Sequence, residues 1–236
     1  MRNLMSSIID ISSWDGTITS TEFHNAASAF VELWNKFDLG FPHWSWINCT
    51  KRPGFAASMV EGYLSLENII LPRSTEEDQH QCGLAGIEDS TSSSKDVFND
   101  TAILVQKDGK ERHHCDFHVI HSSSFRVPVL YFRAYRSDGE PLAIEDLEKD
   151  FPAYTARELA VSKWTFITPE EHPYLNRPWY TLHPCGTSDW MKLLFGNEPS
   201  VVSQGGVSVE KYLTSWFSVV LPIFGLKIPL KLSRHV

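Results

Sequence analysis

The 236-residue chain sets 21 Lys and Arg against 29 Asp and Glu, a formal net charge of −8 at pH 7. With no basic run to neutralise phosphates, a nucleic-acid partner is not expected. Hydrophobic residues at 42% and charged residues at 21% are the proportions of a soluble globular protein with a sizeable core. The longest apolar stretch, residues 216 to 226, is about half of what a bilayer span requires, so no transmembrane segment is predicted. The opening has only short apolar pairs and lacks the core of a signal peptide. Cys49, Cys82, Cys115 and Cys185 show no close pairing pattern, and are expected to be free thiols of a cytoplasmic protein.

Thr19-Ser20-Thr21-Glu22 reads as a capping box, with Thr19 as N-cap and Glu22 reaching back to its amide. The stripe Phe23, Ala26, Ala27, Phe30, Val31, Trp34 and Phe37 predicts a helix over 20–37, closed by Gly40 and Pro42. Strands are predicted at Trp44 to Ile47 and Tyr63 to Leu71. The polar, serine-rich segment 74–99 cannot bury enough surface to order itself and is expected to be a disordered insertion within a single domain spanning 1–236.

Strand signals return at Thr101 to Val105, Cys115 to Ile120 and Phe125 to Tyr135, with polar turns at Ser122–Ser124 and Asp138-Gly139. The middle third is therefore an antiparallel meander, with Pro128 at an edge or bulge. Helix-compatible stretches flank Pro152. Trp164 to Ile167 is a short strand, and Pro169 to Pro178 a proline-punctuated loop. Trp179 to Leu182 ends a further strand. Val209, Tyr212, Leu213, Trp216, Phe217 and Val220 are spaced for a helix that Pro222 terminates. The order of elements gives an α+β fold: an antiparallel sheet with an N-terminal helix and C-terminal helices.

The residues that carry chemistry cluster in His183-Pro184-Cys185-Gly186. Pro184 removes a backbone donor and Gly186 permits unusual backbone angles, so the chain turns here and the thiol is reachable. His183 and the backbone amides beyond it could favour a reactive thiol. On residue chemistry alone, a structural cysteine and a reactive one both stand. Around Cys115 the run His113 to His121 invites a metal reading. Strand alternation, however, puts His114, Asp116 and His118 on one face and His113, Cys115 and His121 on the other, so solvated strand histidines are expected instead of a zinc site. No peptidase signature surrounds Cys185, Gly205-Gly206 lacks the residues of a phosphate loop, and Glu145-Asp146 and Glu170-Glu171 read as helix-start and loop residues.

Three segments in order resemble the autophagy-related protein ten family of ubiquitin-conjugating-like enzymes, in a plant-like form. These are Val127 to Ala134 with Asp138-Gly139 and Pro141-Leu142, Thr168 to Leu175 with Trp179 to Thr187, and Tyr212 to Val220 with Gly225-Leu226 and Pro229-Leu230. The resemblance implies a ubiquitin-conjugating-like α+β fold and a thioester-forming Cys185, with His183 and Pro184 shaping its loop. It implies that the ubiquitin-like autophagy-related protein twelve is received from the activating enzyme, autophagy-related protein seven, and passed to a lysine of autophagy-related protein five. No metal or organic cofactor is implied; ATP is consumed by the activating enzyme. Ordinary ubiquitin-conjugating enzymes have a His-Pro-Asn segment with the nucleophile further on, whereas here cysteine fills the asparagine slot. Tyr63, Thr165 or Asn176 would then orient the lysine or oxyanion, with Tyr63 foremost. His118 and Arg133 are expected to be structural. The exposed face of the Val127–Tyr135 hairpin would offer an edge for strand addition by protein five, the alternative being an ordinary core hairpin, which suits most of its residues better. The alternatives are the sister enzyme that couples a ubiquitin-like protein to phosphatidylethanolamine, and a non-catalytic scaffold of the same fold.

Overall fold

A computed structural model describes residues 8–9, 13–36, 42–49, 61–71, 113–152, 154–155, 167–196, 207–226 and 228. The 74–99 insertion, Cys82, Thr165 and the strand expected at Thr101 to Val105 lie outside them.

The first helix, α1 (Ser20–Lys36), starts where its capping box dictates. The Thr19 amide donates to Glu22 Oε2 at 2.7 Å, and the Glu22 amide donates to Thr19 Oγ1 at 3.2 Å. Its inner stripe, Phe23, Ala26, Ala27, Phe30 and Trp34, is buried. The strands are β1 (Ile8–Ile9), β2 (Ser45–Asn48), β3 (Gly62–Ile70), β4 (His114–Ser122), β5 (Val127–Tyr135), β6 (Ile167–Glu171), β7 (Pro178–Leu182) and β8 (Val207–Ser208). Among the described residues the further helices are the short α2 (Ile144–Leu147), α3 (Thr187–Gly196) and α4 (Val209–Val220). One sheet has the order β2-β3-β4-β5-β7-β6 with every pairing antiparallel, and β1 pairs with β8 separately. This is the α+β architecture expected, with α1 before the sheet and helices after it.

Two strand expectations change. The stretch expected to be a loop from Pro169 is strand through Glu171: Ile167 faces Leu182 and Glu171 faces Pro178. Pro169 is tolerated because β6 is the outer strand. Nor is the Val127–Tyr135 strand an edge. It pairs with β4 from Val127 to Tyr135 and with β7 at Tyr131 and Phe132, so it lies inside the sheet and strand addition is blocked at that stretch; the outer strands among the described residues are β2 and β6. Pro128 lies beyond the β7 pairing, where a missing amide costs no ladder bond on that side.

The helices cover one face of the sheet. Phe30 stacks on Phe217 of α4 at 4.5 Å between ring centroids, Trp44 packs on Phe217 at 4.8 Å, and Phe117 and Phe132 meet Phe224 at 5.0 and 4.9 Å. Phe224 belongs to the 3₁₀ turn Leu221–Phe224 opened by Pro222. Burial of these large rings dominates the stability of the fold.

The N-terminal loop before α1 ties three elements together. Ile18 donates its amide to Arg126 O at 2.8 Å, and the Ile18 carbonyl accepts from His121 Nε2 at 2.8 Å. The Gly16 carbonyl accepts from the Tyr212 hydroxyl of α4 at 2.9 Å. Gly16, at φ +85°, presses against α3 so closely that a Cβ would lie 1.9 Å from the Ser188 carbonyl oxygen.

Candidate active site

Cys185 sits where β7 gives way to α3, and the local sequence explains the geometry. His183 ends the extended segment at φ −63°, ψ 127°, and residues Pro184–Gly186 form a 3₁₀ turn. Pro184 supplies the fixed φ of its first residue, where an amide has no intrahelical partner in any case. His183 Nδ1 accepts the Cys185 amide at 3.3 Å and so caps the turn; the Thr187 amide donates to the Pro184 carbonyl. Pro184 and Gly186 are buried while Cys185 is exposed, so the turn is anchored from both sides of a reachable thiol. The N-terminal end of α3 follows at once, and its backbone dipoles present their positive end to the segment bearing Cys185.

The other free cysteines among the described residues are Cys49, half-buried, and Cys115, buried. Burial pushes the Cys115 thiol well above its ordinary value, with Asp150 and Asp116 adding to the shift, so it is chemically inert. Among the described residues no group of three or more His, Cys, Asp or Glu is arranged to hold a metal ion. None of their helices is long and apolar enough to cross a membrane.

The remaining sequence candidates are dispersed. Tyr63 is buried on the sheet face away from the helices, its ring 4.5 Å from that of His118 and 5.6 Å from that of Tyr174. Strands β4 and β5 stand between its own strand and β7, about 14 Å of sheet at the usual strand spacing. Burial, with the neighbouring Cys49 and Glu67, raises its phenol, which stays protonated. Asn176 is exposed in the β6–β7 connection at φ 50° and donates its amide to the His172 carbonyl at 3.0 Å.

The histidines of β4 follow the expected alternation, and His114 and His121 are partly exposed, but His118 departs from the expected solvation. His118 is only 1% exposed, because its ring is sandwiched between Tyr63 and Trp179 and the β6–β7 connection folds over it. His172, fully buried, approaches from that connection. Asp116 accepts the Asn68 amide at 2.8 Å, Arg133 Nε and Nη2 at 2.9 and 2.8 Å, and the Tyr135 hydroxyl at 3.1 Å. That fully satisfied carboxylate holds the bulge in β3 and makes Arg133 structural, as expected.

Sequence reasoning missed α3 and the His118–His172 pair. For the helix a signal existed: Thr187, Met191 and Phe195 repeat every four residues and all are buried. For the pair there was none, because 54 positions separate its members.

Comparison with known proteins defines the family. The family described as "Autophagocytosis associated protein, active-site domain" matches residues 22–231. The "Ubiquitin-like-conjugating enzyme ATG10" of Arabidopsis thaliana is 45% identical over 218 residues, which is 92% of this chain and 96% of that protein. The Homo sapiens protein of the same name is 37% identical over 119 residues, 50% of this chain and 52% of its own length. "Autophagy-related protein 3" of Saccharomyces cerevisiae (strain YJM789) is 28% identical over 108 residues, 45% of this chain and 33% of that protein. The chain belongs to the autophagocytosis-associated active-site family.

Proposed function

We propose that the chain is a ubiquitin-like-protein conjugating transferase of autophagy that carries its modifier as a thioester on Cys185. The observation that carries this reading is the exposed thiol on a turn anchored by His183, Pro184 and Gly186 at the mouth of α3, inside a family defined by its active-site domain. The Cys185 thiolate attacks the thioester carbonyl joining the modifier to the activating enzyme's cysteine, and that cysteine leaves as a thiolate. A lysine amine then attacks the new thioester, the Cys185 thiolate departs, and the amine loses a proton as the amide forms. Rate enhancement comes from placing the amine and from donors to the developing oxyanion, a role that suits the first turn of α3.

The family relationship favours autophagy-related protein twelve as modifier, protein seven as activating enzyme and a lysine of protein five as acceptor, in the cytoplasm. His183 and Pro184 hold the nucleophile's loop, and Tyr63 supports the acceptor side. The whole chain from 1 to 236 acts as one catalytic domain around the 74–99 insertion. The higher identity to the Arabidopsis and human ATG10 proteins, 45% and 37%, against 28% for the yeast protein, favours a protein acceptor over the lipid of the sister enzyme.

A reconstitution with activating enzyme, modifier and ATP, resolved on a non-reducing gel, tests the assignment. Wild type should give a reductant-sensitive adduct, Cys185→Ser a reductant-resistant oxyester, and Cys185→Ala none. Absence of any adduct would leave only the scaffold reading. Adding protein five or phosphatidylethanolamine vesicles then shows which acceptor is consumed.

A further inference from the structure

On the face of the sheet away from the helices, every ring nitrogen of two buried histidines is engaged. His172 Nδ1 lies 3.3 Å from the Tyr174 amide and 3.2 Å from the Leu175 amide. His172 Nε2 lies 2.9 Å from His118 Nδ1, and His118 Nε2 lies 3.2 Å from Glu67 Oε1. These partners fix the tautomers. Backbone amides only donate, so His172 Nδ1 is a bare acceptor and its proton is on Nε2. That N–H donates to His118 Nδ1, which leaves the His118 proton on Nε2, aimed at the Glu67 carboxylate. The result is a one-way chain: connection amides to His172, His172 to His118, His118 to Glu67. Ser65 Oγ also donates to Glu67 Oε1, at 3.0 Å. Burial opposes charging of either ring, and His118 adds to the effect on His172, as a relay of neutral imidazoles requires.

Packing alone does not call for this arrangement, since apolar side chains would fill the same volume without four polar nitrogens to satisfy. What the relay joins is informative. One end is the β6–β7 connection, where the His172 carbonyl also accepts Asn176 N at 3.0 Å and the His172 amide donates to Arg177 O at 2.9 Å. The other end is the central sheet. Between them lies β7, whose Trp179 stacks on His118 at 4.3 Å and meets His172 in a tilted contact at 5.0 Å. That strand is held to β5 in register only at Thr181 and Tyr180, whereas β4 and β5 pair along their whole length. Three residues beyond its end stands Cys185.

We propose that His172 and His118 are positioning residues for transfer at Cys185, forming a neutral, directional hydrogen-bonded relay that clamps the β6–β7 connection to the sheet and so fixes the strand delivering the thiol. The inference rests on the assignment of Cys185 as the thioester-bearing residue. Neither histidine touches the reacting atoms; they act through β7.

The test uses the full chain charged with modifier, then discharged onto free lysine in a single turnover. His172→Phe keeps an aromatic ring without hydrogen bonds, whereas His172→Gln keeps one acceptor and one donor. The relay predicts discharge slowed about tenfold or more in His172→Phe, from misplacement of the nucleophile, and recovered most of the way in His172→Gln. A space-filling role predicts the reverse order, and that result, or equal rates for both variants and wild type, overturns the proposal. Nitrogen-15 NMR of the wild type gives a second readout independent of folding of the variants. Both rings should be neutral at pH 7 with the proton on Nε2; an imidazolium, or a proton on Nδ1 of either ring, overturns the relay. A wild type that fails to charge at Cys185 would instead strike down the functional assignment itself, a failure the gel distinguishes from the others.

Discussion

The two faces of the six-stranded sheet are stabilised by opposite means. Against the helices, Phe117, Val119, Leu130 and Phe132 meet Phe30, Phe217 and Phe224 in an apolar layer whose strength is area removed from water. On the far face, residues one position out of register with these, namely Asp116, His118 and Tyr131, are also buried, yet they are polar and paired, and Asp116 holds the part-exposed Arg133. The first face tolerates any filling of the right volume. The second tolerates only partners with the right donors and acceptors, because a buried polar group left unmatched costs its full desolvation. The stretch leading to Cys185 is covered from the second face, so directional bonds set its course where they are most useful.

This contrast can be broken from either side. Phe217→Ala removes a ring that contacts Phe30, Trp44 and Trp216, and should cost about 4 kcal/mol by urea denaturation, with discharge from Cys185 unchanged in the folded fraction. Asp116→Ala, on the other face, deprives Arg133, Tyr135 and the Asn68 amide of one shared acceptor. It should cost about 2–3 kcal/mol, while replacing Asp116 and Arg133 together should cost less than the sum. Additive losses in that double-mutant cycle would mean the pair is not coupled as its geometry states.

The apolar face was far more legible in the sequence than the polar one. The stripe from Phe23 to Trp34, the capping box at Thr19 and the run from Val209 to Val220 each carry a local period that survives folding, and each element formed within a residue or two of its expected bounds. Alternation likewise sorted the histidines of β4 onto the correct faces. It could not say that His118 is buried, because the cover comes from Tyr63 and Trp179 on other strands and from His172 on a connection that reads as loop. Strand β6 was hidden by Pro169 and two glutamates, which an outer strand accommodates and an inner one would not. The edge expected along Val127 to Tyr135 vanished for a similar reason: nothing local announces that Pro178 to Leu182 will pair beside it. At Cys185 the proline and glycine fixed the turn by their own stereochemistry, so this part of the site was readable residue by residue.

The smallest effect is also the one that separates the faces most cleanly, because it titrates only one of them. Burial, reinforced by His118, Arg133 and Arg177, lowers His172 from the usual histidine range to about 4. The groups facing it from neighbouring elements are His118, Tyr63, Tyr131 and Tyr174, of which the tyrosines stay neutral through this range. In the unfolded chain His172 protonates as the pH falls through about 6.5, whereas in the folded chain it resists until about 4, so acid favours unfolding across that window. Between pH 7 and pH 5 the penalty from His172 alone should approach roughly 2 kcal/mol, and His118 and His121, also lowered by burial, act in the same direction. Urea midpoints at the two pH values should therefore differ more for wild type than for His172→Phe, which has no proton to gain. Equal pH dependence in the two proteins would show that the imidazole is already solvated in the native state, and the polar face would lose its distinction from an ordinary exposed strand.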